Sequence, residues 1–121
     1  MSRLLDSDNA RLEEIIEHGG KIAAWLKGKT DLTFLEDSML RDAVSMNLLI
    51  IGEAANALSE NLKAQSGKNF WNDVRGLRNR LAHGYGSVDW SRIWIIASQD
   101  APYLVEIAQR LQTTSGDPGE T

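Results

Sequence analysis

The chain has no cysteine and no long apolar run, and each absence excludes a class of protein. Without cysteine it forms neither a disulfide nor a thiolate metal site. No apolar stretch approaches the roughly 20 residues needed to cross a bilayer, and residues 1–6 are too short an apolar run for a signal peptide. The 121 residues are enough for one domain with its own hydrophobic core. These features predict a soluble, cytoplasmic protein with no membrane contact.

Positive charge is also scarce, since the net charge is −4 and the sequence pI is near 5.1. A protein that coats nucleic acid through many phosphate contacts is usually basic, so that role is not expected. Residues 68–92 are an exception, with five basic and two acidic residues and a local charge of +3. The sequence therefore leaves room for a small cationic site that binds a few phosphates.

The apolar residues recur at helical spacing almost throughout the chain. A first helix, ended by residues 28–30, is marked by Leu12, Ile15, Ile16, Ile22, Ala23 and Leu26. Residues 33–36 have the form of a capping box, which predicts a long second helix over residues 33–63. Its inward positions are Leu40, Ala43, Val44, Leu48, Ile51, Ala55, Leu58 and Leu62. Leu49 and Ile50 widen this stripe, which indicates burial by the bundle on one side and by a partner subunit on the other.

Two more helices are predicted downstream. The third is marked by Phe70, Val74, Leu77 and Leu81, and Gly84 is suited to end it. Asp89 should cap a fourth helix, which Pro102 should kink or split in two. The apolar face of that helix is Ile93, Trp94, Ala97, Leu104, Ile107 and Leu111. Residues 113–121 resemble a disordered tail, so the predicted domain is residues 1–112, an all-α, up-and-down helical bundle of four to five helices.

The residues best suited to chemistry lie at the end of the third helix. Arg78 and His83 have four residues between them, a spacing that arises by chance in about one chain in ten of this length. Five residues of helix turn the chain by about 500°, so the two side chains start about 140° apart. They can still converge on one ligand, because arginine is long and the helix is ending at His83. Geometry permits a site here but does not require one.

These groups suit RNA cleavage without a metal. The ribose 2′-OH attacks the neighbouring phosphorus, which requires a base, an acid for the leaving 5′ oxygen and positive charge for the transition state. Histidine can act as acid or base near neutral pH, and the planar fork of arginine matches phosphate oxygens. One chain offers a single motif histidine, so a homodimer with two facing motifs would supply both groups. Asn79 would orient the phosphate or the histidine, and Glu53 would lie beside the cleft.

A purely structural explanation fits the same residues. The helix macrodipole favours Arg80 and His83 near a helix C-terminus, and Gly84 is an ordinary terminator. The other histidine, His18, has no partner pattern around it and is predicted to be a surface residue. The tryptophans are more typical of core or interface anchors than of a base-stacking platform. They are Trp25, Trp71, Trp90 and Trp94.

The run from Val74 to Tyr85 resembles the signature R-N-x-x-A-H-x-Y of the HepT-type HEPN proteins. Residues 48–55 and 88–94 are similar to the helices that flank this signature, so the likeness spans most of residues 4–111. The resemblance implies a homodimeric ribonuclease toxin with Arg78 and His83 as the catalytic pair. We assign supporting or RNA-binding roles to Asn79, Arg80, Arg75 and Glu53. Neither a metal nor a cofactor is expected.

The resemblance also implies a partner, a nucleotidyltransferase antitoxin of the MntA type. In that family the antitoxin transfers AMP from ATP to the motif tyrosine, which corresponds here to Tyr85. An adenylyl group two residues from His83 would add negative charge and bulk where RNA phosphate must bind. The sequence therefore predicts that AMPylation of Tyr85 silences the ribonuclease.

Two alternatives remain open. Where family members often carry a basic residue and a glutamate in the second helix, this chain has Met46 and Leu49. These departures and the acidic net charge keep open a second hypothesis, a catalytically inactive HEPN subunit that binds a nucleotidyltransferase or a nucleotide. The third reading is a helical bundle with no site at all.

Overall fold

Helices account for all the regular structure in residues 4–64, 75–76, 78–79 and 88–115, the residues described in this computed structural model. They are α1 (Asp6–Leu26), α2 (Asp31–Glu36), α3 (Ser38–Asn56), α4 (Glu60–Ala64), α5 (Trp90–Ile95) and α6 (Ala101–Ser115), with a π-helical turn at Ile96–Asp100 between the last two. Residues 75, 76, 78 and 79 are also helical. The predicted all-α bundle is confirmed. None of the described helices is long and apolar enough to span a membrane.

Helix α1 lies between α3 and α6 and contributes a large part of the core. Its predicted inward residues Leu12, Ile15, Ile22 and Leu26 are buried, whereas Ile16 is half-buried and Ala23 is exposed, so the prediction for Ala23 is wrong. Near its start, Asp8 bonds to Ser59, just beyond the end of α3, and Asn9 accepts a bond from Gln112 near the end of α6. Both helices therefore run antiparallel to α1, as in an up-and-down bundle.

Gly19 sets the close approach of α1 to α6. A Cβ atom built at this buried glycine would overlap the Cγ2 atom of Val105. The neighbouring Gly20 has open space around the same position. The lack of a side chain at Gly19 thus lets the two helices pack at a distance that alanine would not allow.

The second predicted helix begins in a different way from the sequence prediction. The N-cap is Thr30 and not Thr33. Thr33 completes the capping box, because its amide donates to Thr30 Oγ1 and its own Oγ1 accepts from the Thr30 amide. Gly28, at φ +78°, ends α1 just before it. The resulting short α2 places Phe34 in the core, with its ring 5.5 Å from that of Trp94.

The prediction of one continuous helix over residues 33–63 is wrong. Asp37 ends α2 and caps α3, because its carboxylate accepts a bond of 3.0 Å from the Leu40 amide. A second break follows Ala57, where Asp8 accepts bonds from both the amide and the hydroxyl of Ser59. The apolar spacing nevertheless predicted most of the inward positions correctly. The buried ones are Val44, Leu48, Ile51, Ala55, Leu58 and Leu62.

The C-terminal helices follow the local signals closely. Asp89 caps α5 as predicted, since its carboxylate accepts bonds from the amides of Ser91 and Arg92. Pro102 cannot donate a backbone hydrogen bond. The π-helical turn ends at Asp100, two residues before it, and the Ala101 amide donates to the Ile96 carbonyl. Helix α6 continues past the predicted domain boundary at residue 112 to Ser115. The remainder of the predicted tail lies outside the described residues.

Candidate active site on helix α3

An ion pair joins helix α3 to the segment that carries the sequence motif. Nη1 of Arg78 donates to Oε1 of Glu53 at 3.3 Å, and Nη2 donates to Oδ1 of Asn79 at 3.1 Å. The Arg78 side chain is 21% exposed and the Glu53 side chain 67% exposed. Two of the predicted supporting residues, Glu53 and Asn79, therefore contact the guanidinium of Arg78 at the surface of the bundle.

Arg75, in the motif segment, lies against another part of helix α3. It shares a narrow crevice with Gly52, Ala55 and Asn56, and Lys63 of α4 lines the crevice as well. The Lys63 ammonium donates to the Asn56 carbonyl at 3.0 Å. Arg75 and the Lys63 ammonium, which is also paired with Glu60, thus lie beside the C-terminal end of α3.

Three of the predicted site residues are outside the described part of the chain. They are Arg80, His83 and the proposed modification site Tyr85. The predicted end of the third helix at Gly84 and the tryptophan Trp71 are outside it too. The assignments of Arg80, His83 and Tyr85 remain predictions.

An open pocket of about 400 Å³ lies next to the Glu53–Arg78 pair. It forms where the exposed side of α3 meets the start of α1, and its lining residues are Arg11, Glu14, Leu49, Ile50, Glu53, Ala54 and Ala57. Nη1 of Arg11 donates to Oε1 of Glu14 at 2.8 Å. Sequence reasoning did not find Arg11 and Glu14, because their spacing on α1 is that of an ordinary helical ion pair and gives no sign that α3 lies beside it.

The departures from the family pattern fall on this side of α3. Leu49 and Ile50, which widened the apolar stripe, are half-buried and line the pocket. Met46 is 57% exposed. The wide stripe is therefore only partly covered by the described residues of its own chain.

His18 is not the surface residue that the sequence predicted. It is half-buried, and its Nδ1 atom lies 2.7 Å from Oδ1 of the buried Asn47 on α3. Nδ2 of Asn47 donates to the Ala43 carbonyl at 2.8 Å, so the amide oxygen is the acceptor left for the imidazole. His18 therefore donates through Nδ1 and helps to join α1 to α3.

The aromatic residues act mainly in packing. Trp90 and Trp94 are half-buried and surround Phe34, and the guanidinium of Arg41 lies 4.9 Å from the Trp90 ring centroid. This confirms the predicted core role for these two tryptophans. Trp25 is 39% exposed. Among the described residues there is no group of three or more histidine, aspartate or glutamate side chains arranged to hold a metal ion.

Comparisons with known proteins agree with the motif. The model of the family described as "Ribonuclease HepT-like" matches residues 11–111. The chain is similar to "Putative RNase MJ1380" of Methanocaldococcus jannaschii, at 31% identity over 78% of this chain and 87% of that protein. It is also similar to "Putative RNase TTE0752" of Caldanaerobacter subterraneus, at 30% identity over 77% and 83% of the two chains.

A further relative is "Probable ribonuclease HepT" of Thermococcus cleftensis, at 32% identity over 59% of this chain and 64% of that protein. No solved structure matches the chain significantly. The family model covers the bundle from α1 to α6 and includes the Glu53–Arg78 pair. This chain belongs to the HepT-like ribonuclease family.

Proposed function

We propose that the protein is an RNA endonuclease that acts as the toxin of a toxin–antitoxin pair and uses Arg78 and His83 in the cleft of a homodimer. The observation that carries the proposal is the Arg78 guanidinium, which Glu53 and Asn79 orient within the segment that bears the family motif. The family supplies the substrate class, RNA. The half-buried position of Arg78 supports a role that needs a fixed cation.

The roles of the two motif residues follow from the chemistry of RNA cleavage. A base removes the proton of the ribose 2′-OH, the 2′ oxygen bonds to phosphorus, and the bond to the 5′ oxygen breaks as an acid protonates that oxygen. His83 would act as base or acid, and Arg78 would neutralise the charge that builds on the phosphate oxygens. Arg75 and Arg80 would hold neighbouring phosphates. The products would carry a 2′,3′-cyclic phosphate and a 5′-OH.

A homodimer would supply the second histidine that acid–base catalysis requires. Each chain has one motif histidine, so two facing motifs place two His83 and two Arg78 side chains around one cleft. The exposed Met46 gives α3 an apolar surface outside the pocket that supports contact with a second copy. Removal of a single histidine type would then remove both the base and the acid.

AMPylation of Tyr85 would silence the enzyme. A nucleotidyltransferase partner of the MntA type would bind ATP, the Tyr85 oxygen would attack the α-phosphorus, and pyrophosphate would leave. The added adenylyl phosphate would repel RNA phosphate from the neighbouring His83 and Arg78. The partner thereby converts the cationic cleft into one that rejects its substrate.

The cleavage reaction can be tested with purified protein and cellular RNA in the presence of EDTA. We expect cleavage by the wild type, loss of at least about a hundredfold in His83→Ala and Arg78→Ala, and an unchanged dimer by analytical ultracentrifugation. Arg110→Ala is the matched control, because Arg110 is an exposed arginine paired with Glu106 on α6. Equal activity in the wild type and both motif variants would contradict the proposal. A stable complex with the nucleotidyltransferase and no RNA turnover would identify the inactive subunit instead.

The modification can be tested separately by co-expression with a nucleotidyltransferase of this type. Intact mass should increase by whole AMP units, and peptide mapping should place them on Tyr85. The chain has two tyrosines, so Tyr103→Phe serves as the control for Tyr85→Phe. AMP that persists in Tyr85→Phe and disappears in Tyr103→Phe would refute this assignment.

A further inference from the structure

The pocket of about 400 Å³ beside Glu53 has the features of a site for one unstacked RNA base. We infer that it is a guanine-binding subsite next to the scissile phosphate, in which Glu14 and Arg11 read the base. The inference rests on the proposed ribonuclease function and adds a sequence preference to it. It follows from the position of the pocket, its charge balance and the pattern of donors and acceptors on its rim.

Glu53 links the pocket to the motif. The same carboxylate lines the pocket and accepts the bond of 3.3 Å from Arg78. A ligand in the pocket is therefore separated from the Arg78 guanidinium by a single side chain. In RNA, a base and its phosphates are separated by one ribose, so a phosphate at Arg78 would leave a base of the same or the adjacent nucleotide at the pocket.

The composition of the pocket suits a neutral ring better than an anion. Leu49, Ile50, Ala54 and Ala57 form apolar walls against which a flat base can pack. The cation of Arg11 is paired with Glu14, and Glu53 is paired with Arg78. The charges at the rim are thus largely balanced, whereas a phosphate site would hold excess positive charge. The volume lies within the usual range for small-ligand pockets, roughly 300–1,000 Å³.

The rim of the pocket presents a donor beside two acceptors. Arg11 donates to one oxygen of Glu14 at 2.8 Å, and its guanidinium carries further N–H groups. Guanine has the complementary edge, the O6 acceptor followed by the N1–H and N2–H donors. Adenine, cytosine and uracil lack two adjacent N–H donors on that edge, so a carboxylate binds both donors only in guanine. Glu14 would accept from N1–H and N2–H, and Arg11 would donate to O6.

Arg11 and Glu14, the residues proposed to bind the base edge, lie on a part of α1 that is anchored in the core. Leu12 and Ile15, their immediate neighbours on the helix, have no exposed surface. Arg11 and Glu14 are about 40% exposed, with side-chain values of 39% and 41%. The backbone that carries them is therefore anchored in the core while their polar groups reach the pocket, an arrangement that favours selective binding.

The test compares short unstructured RNAs that hold a single guanosine, inosine or adenosine in an otherwise uniform pyrimidine strand. Wild-type protein should cleave beside guanosine about tenfold faster in kcat/KM than beside adenosine, with inosine between them because it lacks the N2 amino group. Glu14→Gln should lower kcat/KM for the guanosine RNA about tenfold and leave the adenosine RNA within about twofold. Glu17→Gln is the matched control, since Glu17 is an exposed glutamate on α1 with an ion pair to Lys21 and does not line the pocket.

A second series carries 2′-O-methyl groups, which remove the attacking hydroxyl and leave binding alone. Fluorescence anisotropy should show tighter binding of the guanosine RNA by wild type and Glu17→Gln, and equal binding of the guanosine and adenosine RNAs by Glu14→Gln. If the wild type binds the guanosine RNA more tightly than the adenosine RNA but no protein cleaves the unmodified RNAs, the result would support the subsite and refute the proposed ribonuclease function. Cleavage with the same base preference in the wild type and Glu14→Gln would refute the subsite alone.

The oligomeric state of the same variants tests the other possible occupant of the pocket, a second copy of the chain. If a second copy of the chain fills the pocket, Glu14→Gln would change the dimer dissociation in sedimentation equilibrium and leave the base preference as it is in the wild type. That result would overturn the guanine subsite. An unchanged dimer together with the loss of guanine preference supports it.

Discussion

Nη1 of Arg78 and Oε1 of Glu53 lie 3.3 Å apart although 25 positions separate the two residues in the chain. The contact joins a residue of the sequence motif to the long helix α3. Glu53, which the sequence predicted beside the cleft, is thus a direct partner of the motif arginine.

Glu53→Gln should lower kcat for RNA cleavage about tenfold and leave KM within about twofold. The reason is that a neutral amide holds the guanidinium less firmly in the orientation that the transition state needs. Unfolding should change little, because an exposed ion pair contributes about 0–1 kcal/mol. Steady-state kinetics and urea denaturation measure the two effects.

Glu106→Gln is the control for Glu53→Gln, since the Glu106 side chain is similarly exposed and forms an ion pair with Arg110 on α6. Glu53→Asp should recover part of the lost kcat because it restores the charge. If Glu53→Gln and Glu106→Gln have the same kcat as the wild type, Glu53 does not position Arg78.

Asp8 should stabilise the break between α3 and α4. Its side chain is buried and accepts bonds of 2.9 and 2.7 Å from the Ser59 amide and hydroxyl. Asp8→Ala should therefore lower the free energy of unfolding by about 2–3 kcal/mol, because the Ser59 donors lose a charged acceptor. Asp6→Ala, at an exposed acidic position in the same helical turn, should cost less than about 1 kcal/mol.

A double-mutant cycle with Ser59→Ala tests whether the Asp8 effect comes from this contact. The two substitutions should cost less together than the sum of their separate effects, since each removes the same hydroxyl–carboxylate bond. Strict additivity in urea denaturation would show that Asp8 acts in another way.

Gly19 and Gly20 should respond in opposite directions to alanine. Alanine at Gly19 would overlap Val105, so we expect a loss of about 1–3 kcal/mol in the free energy of unfolding. Alanine at Gly20 meets open space and should raise stability by up to about 1 kcal/mol through its higher helix propensity. Thermal unfolding followed by circular dichroism compares them. Recovery of Gly19→Ala by Val105→Ala would identify the overlap as the cause, and a stabilised Gly19→Ala would contradict it.

Substitutions at the two histidines should have different effects, on stability at His18 and on RNA cleavage at His83. His18 bonds to the buried Asn47, so Asn47→Leu should lower the free energy of unfolding by about 1–3 kcal/mol by leaving the imidazole without its partner. Adding His18→Phe should restore part of that loss. His18→Phe alone should retain RNA cleavage, in contrast to His83→Ala. Loss of cleavage in a folded His18→Phe protein would overturn the division of roles.

Much of the fold could be predicted from the sequence because its signals are local. Gly28 ends α1, Asp89 caps α5 and Pro102 follows a change in helix type, and each effect acts within about one helical turn. Apolar spacing likewise predicted most of the buried apolar residues of α1 and α3, because the helical repeat alone places them on one face. The motif around Arg78 identified the family for the same reason, as a pattern of neighbouring residues.

The remaining features depend on which helices pack together and at what register, and no local pattern contains that information. The bond from Asp8 to Ser59 spans 51 positions and divides what reads as one helix into α3 and α4. The Glu53–Arg78 pair and the His18–Asn47 pair, 25 and 29 positions apart, arise only when α1, α3 and the motif segment meet. The pocket exists for the same physical reason: Arg11 and Glu14 form an ordinary surface ion pair until the packing of α1 against α3 sets them beside Glu53.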